Sequence, residues 1–85
     1  MKYIFIINKK AGRGKSEGLI ENIEKVCKNR GLEYEIRHIT DELDGATIAR
    51  EYAEGENVIY VVGKYDEIWL YIFLQKREEI RKATS

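Results

Sequence analysis

The chain has 85 residues, 15 Lys plus Arg against 15 Asp plus Glu, one histidine, one cysteine and no proline. So short a chain makes one domain, residues 1–85, and buries only about 60–65% of its unfolded surface, so a homodimer is a reasonable way to add stability. Balanced charge excludes a global field for nucleic acid or an anionic membrane, and the lone Cys27 excludes an internal disulfide and multi-cysteine zinc sites.

"MKYIFIIN" is too short for the apolar core of a signal peptide, and the longest apolar run, Ile68 to Leu74, is too short for a transmembrane segment. A cytoplasmic setting is the expectation. Tyr3 to Ile7 is a β-branched and aromatic run suited to a strand covered on both faces. Residues 8–16, "NKKAGRGKS", form a basic, glycine-rich loop without an acid. Leu19, Ile20, Ile23, Val26 and Cys27 then recur at helical spacing, with Ser16 as N-cap and Gly31 as the stop. Leu32 to Ile39 alternates apolar and polar, the period of a strand at a sheet edge.

The next segment, "DGATIAREYAEG", predicts a helix with Ala46, Ala49, Tyr52 and Ala53 on one face, ended by Gly55. "NVIYVVG" predicts a second buried strand. The order β-α-β-α-β with short connections predicts an open, mainly parallel α/β sheet. Beyond it, Ile68 to Leu74 reads as a fourth, antiparallel strand, because seven consecutive apolar residues would coat a helix all round. "QKREEIRKATS" reads as a short C-terminal helix with a solvated face. The alternative is a single helix over 67–83.

A loop from a buried strand into a helix N-terminus offers unpartnered N–H groups and a favourable dipole to an anion. Gly12 and Gly14 let the backbone approach phosphate oxygens, Arg13 and Lys15 add charge, and Ser16 adds a hydroxyl donor. Two common phosphate-loop patterns do not fit. The P-loop ending is supplied by Gly14, Lys15 and Ser16, but its first glycine falls on Lys9. The dinucleotide pattern fits Gly12 and Gly14 and then meets Glu17.

"IINKKAGRGKS" resembles the opening motif of the diacylglycerol kinase catalytic domain, shared by bacterial lipid kinases. Asn8, Ala11, Gly12 and Gly14 match that motif, while Lys9 stands where the family has proline. Thr40 fits the family's threonine after the second strand, and Ala46 fits its Gly/Asp-Ala pair. "NVIYVVG" resembles the strand before the family's Gly-Gly-Asp-Gly-Thr motif, and Gly63 matches that motif's first glycine. The resemblance covers residues 1–63 and then stops, because Lys64, Tyr65, Asp66 and Glu67 follow. It implies a Rossmann-like ATP-binding subdomain of a lipid kinase, truncated or engineered, without a complete catalytic site. The implied ligand is a nucleotide or phosphate, ATP with Mg²⁺, bound weakly at Asn8, Gly12, Arg13, Gly14, Lys15, Ser16, Thr40 and Gly63. A second reading is an engineered structural scaffold without ligand that self-associates through residues 68–74.

The other reactive residues receive plainer readings. His38 has no second histidine or cysteine at ligand spacing and reads as a surface residue. Asp41, Glu42 and Asp44 read as helix capping rather than a Mg²⁺ site. Asp66 reads as a turn or cap residue, and Lys64 faces the same anion as the first loop if their strands are neighbours. Tyr65, Trp69, Tyr71 and Phe73 read as packing rather than a base-stacking surface. Cys27 reads as a buried, inert thiol.

Overall fold

The computed structural model describes residues 1–10, 16–63, 67–74 and 77–84. Its elements are β1 (Lys2–Asn8), α1 (Ser16–Asn29), β2 (Glu33–Ile39), α2 (Gly45–Arg50), β3 (Asn57–Val62), β4 (Ile68–Leu74) and β5 (Arg77–Thr84). The strands form one sheet in the order β2-β1-β3-β4-β5. β1 runs parallel to β2 and to β3, whereas β3–β4 and β4–β5 are antiparallel. The expected edge position of β2 and the antiparallel fourth strand are both present.

Three expectations need correction. The sheet is mixed rather than mainly parallel, because the connections after β3 are too short for a crossover and allow only hairpins. The C-terminal helix does not exist among the described residues, and neither does the alternative helix over 67–83: Arg77–Thr84 is a strand. As a helix that segment had only Ile80 and Ala83 to bury. As a strand it pairs along β4, from Leu74↔Arg77 to Ile68↔Thr84, with a bulge at Ile68/Trp69. Thirdly, α2 ends at Arg50 rather than at Gly55. Its buried residues are Gly45, Ile48 and Ala49, while Ala46 and Ala53 are half-buried. A turn follows, in which Tyr52 and Ala53 donate to the carbonyls of Ala49 and Arg50.

The two helices cover opposite faces, as expected when β1 connects to β2 on one side and β2 returns across β1 to β3 on the other. On one face Ile48 and Ala49 of α2 close over Ile4, Ile6, Ile59 and Val61, with Trp69, Tyr71 and Phe73 packed at the margin. The aromatic residues of β4 thus serve packing. On the other face Leu19, Ile20 and Ile23 of α1 pack on Ile7 and Val62. Ile4, Ile6 and Ile7 are 0% exposed, which explains the unbroken apolar run in β1. Arg50 of α2 fastens β5 by two hydrogen bonds to the Glu78 carboxylate, 2.8 and 3.1 Å.

Helix α1 starts with Ser16 itself in the first helical position, one place beyond the cap expected of it. It ends as its sequence suggests. Gly31 takes φ 64°, its N–H bonds the Lys28 carbonyl, and Leu32 bonds that of Cys27. This is the Schellman pattern, which satisfies the last carbonyls of the helix. Cys27 is buried as a free thiol, but Val26 is 49% exposed rather than part of the core. No helix among the described residues is long and apolar enough to cross a membrane.

Candidate functional site

The registers bring three widely separated residues to one end of the sheet. Asn8 ends β1 opposite Ile39, so Thr40 is the next residue outward on β2. Ile7 faces Val62, so Gly63 continues β3 beside Asn8. Asn8, Thr40 and Gly63 therefore stand at the carboxyl ends of adjacent parallel strands. This is also where the chain reverses its winding, since β1 leads to α1 on one face and β2 to α2 on the other. Crevices at such switch points are where open α/β sheets bind ligands. Ser16 opens α1 on the far side of the loop from Asn8. Gly12, Arg13, Gly14 and Lys15 lie outside the described residues, as do Lys64, Tyr65 and Asp66.

A cleft of about 330 Å³ lies between the start of the first loop (Asn8, Lys9, Lys10) and the start of the β2–α2 connection (Thr40, Asp41, Glu42). The Asn8 side-chain oxygen accepts the Lys10 N–H at 2.9 Å, which turns the chain out of β1. The Thr40 hydroxyl accepts the Leu43 N–H at 3.1 Å, and the Thr40 N–H donates to the Leu43 carbonyl at 3.0 Å. As a hydroxyl carries one donor besides its acceptor sites, Thr40 retains a proton to offer an anion. Gly63 donates its N–H to the Glu67 carbonyl at 2.8 Å. A β-carbon there would stand 3.6 Å from that oxygen, an ordinary contact, so the fold itself does not demand glycine.

The acidic residues divide their roles. Asp44 caps α2, accepting the Thr47 N–H at 2.7 Å, and this bond holds its carboxyl below the usual carboxylate range. Asp41 and Glu42 are exposed and line the cleft opposite Lys9 and Lys10. These four residues were not assigned to the site from sequence, since only the pairing of β1 with β2 makes them neighbours. The described residues contain no group of three or more His, Cys, Asp or Glu placed for a metal. His38 is exposed, as expected.

A second polar cluster braces the edge of β2. Glu35 and Arg37, two apart, share the face covered by the chain after α2. Tyr52 donates its phenol proton to Glu35, while Arg37 donates to Tyr52 at 2.9 Å and to both oxygens of Glu51 at 3.0 and 3.3 Å. The hydrogen bonds to Glu51 and then Tyr52 raise the Arg37 pKa above its ordinary value. Burial, and then the bond to Glu35, raise that of Tyr52. A phenol that holds its proton more tightly when folded adds stability fully present below its unfolded pKa of about 10. That stability is lost as pH rises through the higher folded value. Tyr52→Phe should therefore flatten the alkaline fall in unfolding free energy, measured by urea titration on either side of about pH 10. The flattening is partial, because burial also raises Tyr71.

The fold is an α/β sheet wound in both directions from β1, with a crevice at the point where the winding reverses. The profile of the diacylglycerol kinase catalytic domain matches residues 2–63, and the chain belongs to that family. Comparisons with curated proteins and with solved structures return no significant match. The family match ends where β3 ends, so the β4–β5 hairpin lies beyond it.

Proposed function

We propose that the chain is a phosphate-binding subdomain of the lipid kinase type, holding the phosphates of ATP with Mg²⁺ at the carboxyl ends of β1, β2 and β3. The observation that supports this reading most is the convergence of Asn8, Thr40 and Gly63 in register beside the loop that carries Gly12, Arg13, Gly14 and Lys15 and leads to Ser16. In this reading the loop backbone and Lys15 hold phosphate oxygens, the Thr40 hydroxyl donates to one of them, and Asp41 and Glu42 face the metal. The test is displacement of a fluorescent ATP analogue in the presence of Mg²⁺. Lys15→Glu should weaken binding about tenfold, the equivalent of one charge-assisted contact, without changing the melting temperature. Equal binding by wild type and variant would contradict the assignment.

Assayed alone, the chain should not phosphorylate diacylglycerol. Phosphoryl transfer requires acceptor, metal and charge stabilisation positioned together. Here Gly63 is followed by Lys64, Tyr65, Asp66 and Glu67 in place of the second glycine motif. ATP-dependent product above background from the purified chain would contradict this.

A further inference from the structure

The face that carries α1 is only partly covered. The helix packs on Ile7 and Val62 with Phe5, Ile36 and Ile68 around them. Outward from β3 the same face presents Tyr60, Leu70 and Ile72, all half-buried and in neither apolar cluster of the described residues. Beside them Leu74 is 65% exposed. These positions adjoin through the pairs Tyr60↔Leu70, Leu70↔Arg81, Ile72↔Glu79 and Leu74↔Arg77. Helix α1 is thus a wall beside a floor made by β3, β4 and β5. The corner between them is a groove of about 280 Å³, walled by Leu19 and Ile23 and floored by Tyr60 and Ile68.

We propose that this floor is the contact between two copies of the chain, stacked face to face about a two-fold axis running along β4. Two observations select a second copy. The strip bordering the floor alternates in sign, Arg77, Glu79, Arg81, and Arg81 already pairs with Glu79 at 3.1 Å. An axis along β4 lays this strip over the other copy's β3, with Arg81 over Tyr60 and Arg77 towards Glu56 just before that strand, and the strip offers no cationic cluster to a lipid surface. The charges along β5 also guard its open edge, which leaves the face rather than the edge for association.

The shape selects the axis. Stacked sheets lie about 10 Å apart. An axis across the strands would force both α1 helices into that one layer, and each needs about 10 Å for itself. An axis along β4 reverses the strand order, so each α1 passes outside the other copy's β5. Leu70 then meets Leu70 and Ile72 meets Ile72. Arg81 crosses onto the other copy's Tyr60, whose ring is held in a 15° stack with Phe5 at 5.8 Å and presents a flat face to a guanidinium.

Sedimentation equilibrium of the full chain across the micromolar range tests this directly. The wild type should dimerise, and Ile72→Lys should raise the dissociation constant about tenfold or more. Arg81→Glu should raise it less. The Arg81 side chain is 69% exposed, so this variant keeps its fold, checked by circular dichroism, and separates lost association from lost folding. A short bis-maleimide crosslinker, which spans the layer that a direct disulfide cannot, should join two copies of Ile72→Cys, whereas Val26→Cys, exposed on α1 away from the axis, should not be joined. A monomer at every concentration would overturn the proposal, as would a dimer insensitive to both charge variants or a Val26→Cys dimer forming as readily. A monomer that floats with phosphatidylcholine–phosphatidylglycerol vesicles would assign the face to lipid and overturn it equally.

Discussion

Replacing Ile48 by alanine is expected to lower the unfolding free energy by about 2–5 kcal/mol. Ile48 is 0% exposed and is the largest side chain that α2 places on the sheet, against the cluster of Ile4, Ile6, Ile59 and Val61. The helix has six residues, Gly45–Arg50, so no second turn of apolar contacts compensates. A domain of this length has roughly 4–13 kcal/mol in all, and the change removes a large share of it. The melting temperature should fall by about 10–40 °C, measured by calorimetry. A fall of only a few degrees would mean that α2 is not the lid of this face. The turn at Thr40 to Asp44 feeds directly into α2, so the cleft wall should loosen as well.

Gly45→Val should destabilise the same junction from the opposite direction, by overfilling it. A β-carbon at Gly45 would stand 2.8 Å from Cγ1 of Val61 and 3.2 Å from Cδ1 of Ile39, both on the rigid floor of the sheet. Neither neighbour can retreat, because Val61 is 6% exposed within the core and Ile39 is packed against it. Overpacking of this kind costs about 1–3 kcal/mol, and valine's two methyl groups beyond the β-carbon place the cost at the upper end. Urea unfolding checks it. Gly45→Ala should lie between wild type and valine, and an order reversed between the two variants would contradict the close approach. The demand on Gly45 is steric, since its φ is not in the left-handed region occupied by Gly31 and Gly55.

Strands β1, β3 and β4 were legible because their apolar runs are continuous and cannot be left in water, and β2 because its apolar and polar residues alternate. The end of α1 was legible because Gly31 is a local signal. What was not legible depends on partners distant in the chain. Arg77–Thr84 is rich in Glu, Arg, Lys and Ala, which favour a helix. The unpaired edge of β4 outweighs that preference with a full row of hydrogen bonds. Tyr52 fits the helical stripe but leaves the helix to meet Glu35 and Arg37, whose spacing of two announced a shared face without naming its cover. The convergence of Asn8, Thr40 and Gly63 followed from topology. The cleft between Lys9, Lys10, Asp41 and Glu42 needed the register of β1 against β2, which no local pattern contains.

The central claim is that the carboxyl ends of the three parallel strands hold phosphate. It is tested most directly by backbone amide NMR of the chain titrated with ATP and Mg²⁺. Amides of Asn8, Ser16, Thr40 and Gly63, with those of residues 9–15, should shift together along one saturating curve. Amides of β5 should stay in place. Resonances unmoved up to millimolar nucleotide, or shifts confined to β4 and β5, would contradict the claim.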